Sequence, residues 1–221
     1  MAKAKLFKPA TFESAYLKAG ILGFAGSGKT YTASLMGIGL HKYIKSKKPV
    51  CFIDTETGSD FMIHKFKKEK IKLLISKTRS FTEMLQLIDE AEQVSDILII
   101  DSVSAVWYDF MESFKKKKNR KFIQFQDWGI LKPTWRDEFT DKRYLNSQLH
   151  IIICGRAGYE YDYVEDEEGR KELRKTGTKM RAETEFGYEP SLLLEMERIK
   201  ENGSLTHRCY IIKDRADVLT G

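Results

Sequence analysis

Short apolar runs alternate with amphipathic segments along most of this chain. Residues 19–24 (AGILGF), 49–55 (PVCFIDT), 71–76 (IKLLIS), 96–101 (DILIID) and 149–154 (LHIIIC) are apolar stretches of strand length. The run at 96–101 is apolar at consecutive positions, the pattern of a central strand covered on both faces of a parallel sheet. Between the runs, apolar positions recur at helical spacing. That spacing predicts a helix from Thr30 to about Ile44, with Ala33, Met36, Leu40 and Tyr43 on its buried face. It predicts a second helix behind Ser80, with Ser80 and Glu83 as a capping box and Phe81, Met84, Leu85, Ile88 and Ala91 as its buried stripe. Strands separated by helices describe βαβ units, so the expected fold class is α/β, a mostly parallel central sheet flanked by helices. Two further runs, 191–197 (SLLLEME) and 206–213 (THRCYIIK), turn about ENGS and are expected to form a C-terminal antiparallel strand pair.

Two regions depart from this rhythm. Residues 105–148 read as a helical insertion carrying all three tryptophans. Trp107, Phe110, Met111 and Phe114 keep helical spacing up to the lysine run, and Pro133 fits the first turn of another helix ahead of Trp135 and Phe139. Residues 157–187 are polar and rich in both charge signs, with DEEG at their centre, and are expected to be a hairpin or a mobile loop. With no internal repeat and no linker-like tract, residues 1–221 are expected to form one domain.

Composition narrows the class only a little. The 221 residues are 42% hydrophobic and 32% charged, ordinary for a soluble globular enzyme. No apolar run approaches the roughly 20 residues of a membrane span, and the N-terminus lacks the apolar segment of a secretory signal. Cys51, Cys154 and Cys209 each sit in a strand-like run without metal or redox spacing. Buried free thiols in a reducing, cytoplasmic compartment are therefore expected. The four histidines are scattered, and their spacing suggests no metal site. The net charge of +6 is concentrated in KKKKNRK (115–121) and RKELRKTGTKMR (170–181). Such runs are either solvated faces or a grip on a polyanion. Phe114, Phe122 and Phe125 interleave with the first run, offering rings for base stacking beside charge for phosphates, whereas the acidic EYDYVEDEEG before the second would repel nucleic acid.

The chemistry is most specific at residues 23–30, GFAGSGKT. This stretch matches the phosphate-binding loop at every fixed position and lies between an expected strand and an expected helix. Glycines let the backbone wrap until successive N–H groups face phosphate oxygens, and the helix start adds its positive end. Gly23, Phe24, Ala25, Gly26, Ser27, Gly28, Lys29 and Thr30, with Tyr31 behind them, are the candidate nucleotide contacts. Lys29 would supply a mobile charge to the β- and γ-phosphates, and Thr30 a hydroxyl to Mg²⁺. Asp101, at the tip of the apolar strand, is the candidate carboxylate supporting that metal, with Ser102 behind it. ATP and Mg²⁺ are the expected ligands. Hydrolysis also needs a group that orients and deprotonates water. No glutamate follows Asp101, so Glu56 in CFIDTETGSD is the candidate, the alternative being a merely acidic turn.

The strand ending FIDTE, the strand ending IIDS and this phosphate loop together resemble the RecA-like ATPase core. More narrowly, GSGKTYTA, FQDWGILKPTW, LNSQLHIIICGRAGYEYD and IIKDRAD resemble small bacteriophage ATPases of the recombination and single-strand annealing group. The resemblance implies that Glu56 activates water, that Lys213 and Arg215 reach a neighbouring subunit's γ-phosphate, and that the chain assembles as a ring or filament. It further implies single-stranded DNA as partner, recombination, repair or replication as setting, and a bacterial host cytoplasm as location. Arg156 stands where the family carries a glutamine sensor, either touching phosphate or pairing with an acidic neighbour. For Lys213 and Arg215 a strand-end salt bridge is the other reading. The rival function is a nucleotide or small-molecule kinase with residues 170–181 as an arginine-rich lid, and a third is a nucleotide-gated binding module. A guanine-reading N-K-x-D and an ABC signature are both absent.

Overall fold

The computed structural model describes residues 16–165, 171–201 and 203–219. The readings made on the N-terminal segment, on DEEG and on Arg170 lie outside the described residues, as does Asn202 of the expected ENGS turn. Apolar runs form the strands β1 (Lys18–Gly23), β2 (Val50–Asp54), β3 (Leu73–Lys77) and β4 (Ile97–Asp101). The helices among them are α1 (Lys29–Tyr43), α2 (Ile63–Lys68) and α3 (Phe81–Val94). Then follow α4 (Val103–Lys117), α5 (Trp128–Trp135), a π-helical segment (Arg136–Leu145), β5 (His150–Glu165), β6 (Lys171–Met180), β7 (Leu192–Glu201) and β8 (Ser204–Asp214).

The sheet order is β3-β2-β4-β5-β1-β7-β8, with β6 paired to the outer half of β5. All neighbours from β3 to β7 along that path are parallel, and β7–β8 is antiparallel. This is the expected mixed α/β architecture with its C-terminal antiparallel pair. Every residue of β4 is buried, as its unbroken apolar run requires. Successive residues of β4 feed opposite layers. Leu98 and Ile100 pack with α3, α4, Trp135 and Phe139, whereas Ile97 and Ile99 pack with Ala33 and Ile38 of α1 and Phe66 of α2.

Several expectations need correction. Helix α1 turns Ala33, Met36 and Leu40 to the core as expected and also buries Ser34, Gly37 and Ile38, but Tyr43 is 85% exposed, so the buried stripe widens toward small residues and stops short of Tyr43. The small residues set this, because a Cβ on Gly37 would lie 2.9 Å from Ile99 Cδ1. Only half of the Ser80–Glu83 box forms. Ser80 Oγ accepts from Glu83 N, but the Glu83 carboxylate takes the Thr78 hydroxyl and Ser80 N donates to Thr78 Oγ1. Pro133 lies inside α5, which starts five residues earlier, behind the Gln124–Asp127 capping box. Polar residues 158–165 continue β5, and β6 returns along it as the hairpin alternative required. Of the cysteines Cys154 is buried, Cys51 intermediate and Cys209 exposed, the last because it lies on the edge strand β8. Phe114 packs against the core, leaving Phe122 and Phe125 exposed beside the lysine run.

Candidate active site

The strand tips β1, β2 and β4 and the start of α1 converge at one end of the sheet. Between β1 and α1 the phosphate loop turns through Gly26 and Gly28, whose φ values of +73° and +94° favour glycine. Gly23 needs its missing side chain for another reason. A Cβ there would come within 2.4 Å of both Met196 O and Ser27 Oγ. The Ser27 hydroxyl is buried and has no hydrogen-bond partner among the described residues. Lys29 folds back, with Nζ donating to the carbonyls of Gly23 at 2.9 Å and Phe24 at 3.0 Å. Phe24 leans out of the loop onto Tyr159 of β5, ring centroids 4.9 Å apart, and Tyr31 lies under the Lys65 ammonium at 5.3 Å.

β4 is separated from β1 by β5, so Asp101 does not border the loop through the sheet. Helix α1 brings them together, because its first turn carries Thr30 to Asp101 and the Thr30 hydroxyl donates to Oδ2. Burial raises the Asp101 carboxyl to about 6, against the Thr30 hydrogen bond; nearby Glu56 adds to the rise. A buried carboxylate and a hydroxyl in contact fit a hard divalent cation that prefers oxygen. Among the described residues no group of three or more His, Cys, Asp or Glu is placed to hold a metal. A cation at Thr30 and Asp101 would therefore take its remaining ligands from nucleotide phosphates and water.

Glu56 is held by a loop whose anchor is Asp54, paired in register with Asp101. Asp54 takes hydrogen bonds from Ser59 N, the Ser59 hydroxyl and Glu56 N. Burial pushes the Asp54 carboxyl up, but these donors outweigh it and leave it below the usual range. Thr55 ties the two strand tips together, with Thr55 N donating to Asp101 O at 2.7 Å and Ser102 N to Thr55 Oγ1 at 2.8 Å. The peptide then turns back over Thr30 and Asp101. A Cβ on Gly58 would lie 3.3 Å from Thr30 Oγ1 and 3.7 Å from Asp101 Oδ2. The Glu56 carboxylate accepts from Ser102 Oγ at 2.9 Å and from Arg156 Nε at 2.8 Å. Arg156 thus has an acidic partner, and it lies within β5, level with Gly23 at the end of the β1 pairing. Gly58 and Ser59 were missed in the sequence, although a glycine and a serine directly behind an acidic strand tip were the available signal.

Lys213 and Arg215 are not part of this assembly. β8 runs antiparallel to β7, so its C-terminal end returns to the start of β1, where Asp214 pairs with Leu192 and Leu192 with Ala19. Both side chains donate to the Tyr188 carbonyl. A strand of this length puts them roughly 15–20 Å from the chain's own phosphate loop. Among the described residues no helix is long and apolar enough to cross a membrane.

A family model described as an AAA domain matches residues 15–217. A search of curated proteins returns no match.

Proposed function

Because the chain belongs to the AAA domain family of P-loop ATPases, we propose that it is an Mg²⁺-dependent ATPase whose turnover serves work on single-stranded DNA. The observation carrying the ATPase reading is the convergence of Lys29, the Thr30–Asp101 pair and Glu56 at the strand tips beside one phosphate loop. In this reading the loop amides and Lys29 bind phosphates, Thr30 and Asp101 hold the metal, and Glu56 orients and deprotonates water. When bound, Mg²⁺ would supply charge neutralisation at the phosphates. The Arg156 pairing holds Glu56 in place and occupies its lone pairs until Arg156 is drawn away.

Support for the DNA reading comes from the β5–β6 hairpin. Tyr159, Tyr161 and Tyr163 occupy alternate positions on β5, and Lys175 of β6 covers the Tyr159 ring at 3.9 Å. Beside the base of the hairpin a groove of about 440 Å³ is lined by Trp107, Tyr108, Arg156, Lys179 and Arg181. Rings interleaved with cations suit stacked bases and a phosphate backbone. Tyr159 also touches Phe24 of the phosphate loop, a contact through which nucleotide binding would reach the hairpin. The phage recombination or annealing role, the cytoplasmic setting and the ring or filament remain with this proposal, carried by the sequence resemblance. In an assembly, Lys213 and Arg215 would act on the neighbouring subunit.

ATPase rate with and without single-stranded DNA, measured across a salt series, tests the function. Stimulation that fades as salt rises is expected. Indifference to DNA, with phosphate transfer to an added small acceptor, would favour the kinase.

A further inference from the structure

Strands β7 and β8 do not stop where the sheet stops. The β1–β7 pairing ends at Gly23 opposite Met196, whereas β7 and β8 remain paired out to Glu201 and Ser204. Residues beyond Met196 therefore overhang the strand tips on the side of the phosphate loop. On this overhang Arg198 and His207 are cross-strand partners. His207 Nε2 lies 3.1 Å from the Gly26 carbonyl oxygen, and its Cδ2 lies 3.4 Å from where a Cβ on Gly28 would be. Arg198 Nη1 lies 3.0 Å from where a Cβ on Gly26 would be. Both side chains thus rest on the turn of the loop itself.

The pair is engaged unequally. His207 has a loop carbonyl, whereas among the described residues no carboxylate or carbonyl holds the Arg198 guanidinium. The nearby arginines are different. Arg208 is bound to Glu201, and Arg156 to Glu56. Strand alternation turns Glu197, which accepts from Tyr210 Oη, to the opposite face. A guanidinium carries five donors in a planar fork matched to phosphate oxygens, and it stays charged at any working pH. Set without an acceptor against a loop whose amides bind phosphate, it has one natural class of partner.

We propose that Arg198 is a phosphate ligand supplied within the same chain, contacting a phosphate group of the bound nucleotide. The proposal rests on the nucleotide reading of the loop. It gives each subunit a cation of its own besides Lys29, with no neighbour required.

The test is direct binding of ATP and ADP to the full chain in Mg²⁺, for wild type and for Lys29→Ala, Arg198→Ala, Arg198→Lys and Arg198→Met, with a thermal melt of each. Arg198→Ala and Arg198→Met are expected to weaken nucleotide binding about 10–100-fold with melts unchanged, and Arg198→Lys to recover part of the loss. If Lys29→Ala abolishes binding while Arg198→Ala binds like wild type, the role of Arg198 is overturned and the loop reading stands. If Arg198→Met recovers binding as well as Arg198→Lys, the side chain acts by packing and the proposal fails. If Lys29→Ala itself binds normally, the nucleotide reading fails first.

Discussion

Arg156 grips Glu56 across the intervening strand β4, with Nη2 2.7 Å and Nε 2.8 Å from the same carboxylate oxygen. An arginine so placed fixes the carboxylate's position but competes with water for its lone pairs. Removing it by Arg156→Ala is expected to raise the DNA-independent ATPase rate several-fold. In a Glu56→Gln background the same substitution should have no effect, because the two residues act as one unit. Steady-state rates of the two single variants and the double variant measure this; additive effects would contradict the coupling.

Asp101 contacts Thr30 through a carboxylate that burial has raised to about 6. Asp101→Asn keeps the shape and loses the charge. It should raise the Mg²⁺ concentration for half-maximal turnover about 10–100-fold, the size of effect seen when a metal's supporting ligands are altered. A magnesium titration of ATPase rate reads this directly, and an unchanged midpoint places the metal elsewhere.

How much of this was legible beforehand differs by element. Strands β1, β2 and β4 announce themselves as apolar runs, and Glu56 and Asp101 stand at their tips, so both carboxylates are readable from spacing. Residues 158–165 hid the outer half of β5, because their period of two alternates tyrosine with charge and has no apolar run. The burial of Gly37 on α1 depends on its meeting Ile99, a contact made by packing against the sheet. Arg198 and His207 were invisible for the same kind of reason, since only the β1–β7 register shows where the overhang begins.

Tyr161 and Tyr163 are the hairpin rings with the most exposed surface, 56% and 70%. If bases stack there, Tyr161→Ala and Tyr163→Ala should each weaken single-stranded DNA binding by about 1–3 kcal/mol without altering ATPase rate in the absence of DNA. Fluorescence anisotropy with a labelled oligonucleotide measures it, and wild-type affinity in both variants would remove the hairpin from the DNA path.

Lys213 and Arg215 stand at the far end of the sheet from their own loop, so any part they play in hydrolysis must be on another subunit's nucleotide. Mixing Arg215→Ala with Lys29→Ala chains should then restore activity that neither has alone, because mixed interfaces regain one intact site. No rescue in assemblies shown to be mixed would leave Arg215 as an anchor for the Tyr188 carbonyl.

Lys18 is a stability test away from the chemistry. Its ammonium is buried and donates to Ser147 O, Ser147 Oγ and Leu149 O, and burial lowers it from 10.5 to about 8. Because the folded value is depressed, the unfolded chain holds more protons between pH 8 and 10.5. The contribution is complete above 10.5 and is lost as pH falls through 8. The stability of wild type relative to Lys18→Met should rise across that window in chemical denaturation, and a flat difference would contradict the burial of a charged Lys18.

The most direct measurement compares ATP binding and single-turnover hydrolysis for Glu56→Gln and wild type. An intact phosphate loop with no group to activate water should bind ATP and Mg²⁺ as wild type does while hydrolysis falls about 10²–10⁴-fold. Hydrolysis at the wild-type rate by Glu56→Gln would contradict the account, because the carboxylate that Ser102 and Arg156 hold at the strand tips would then have no part in the reaction.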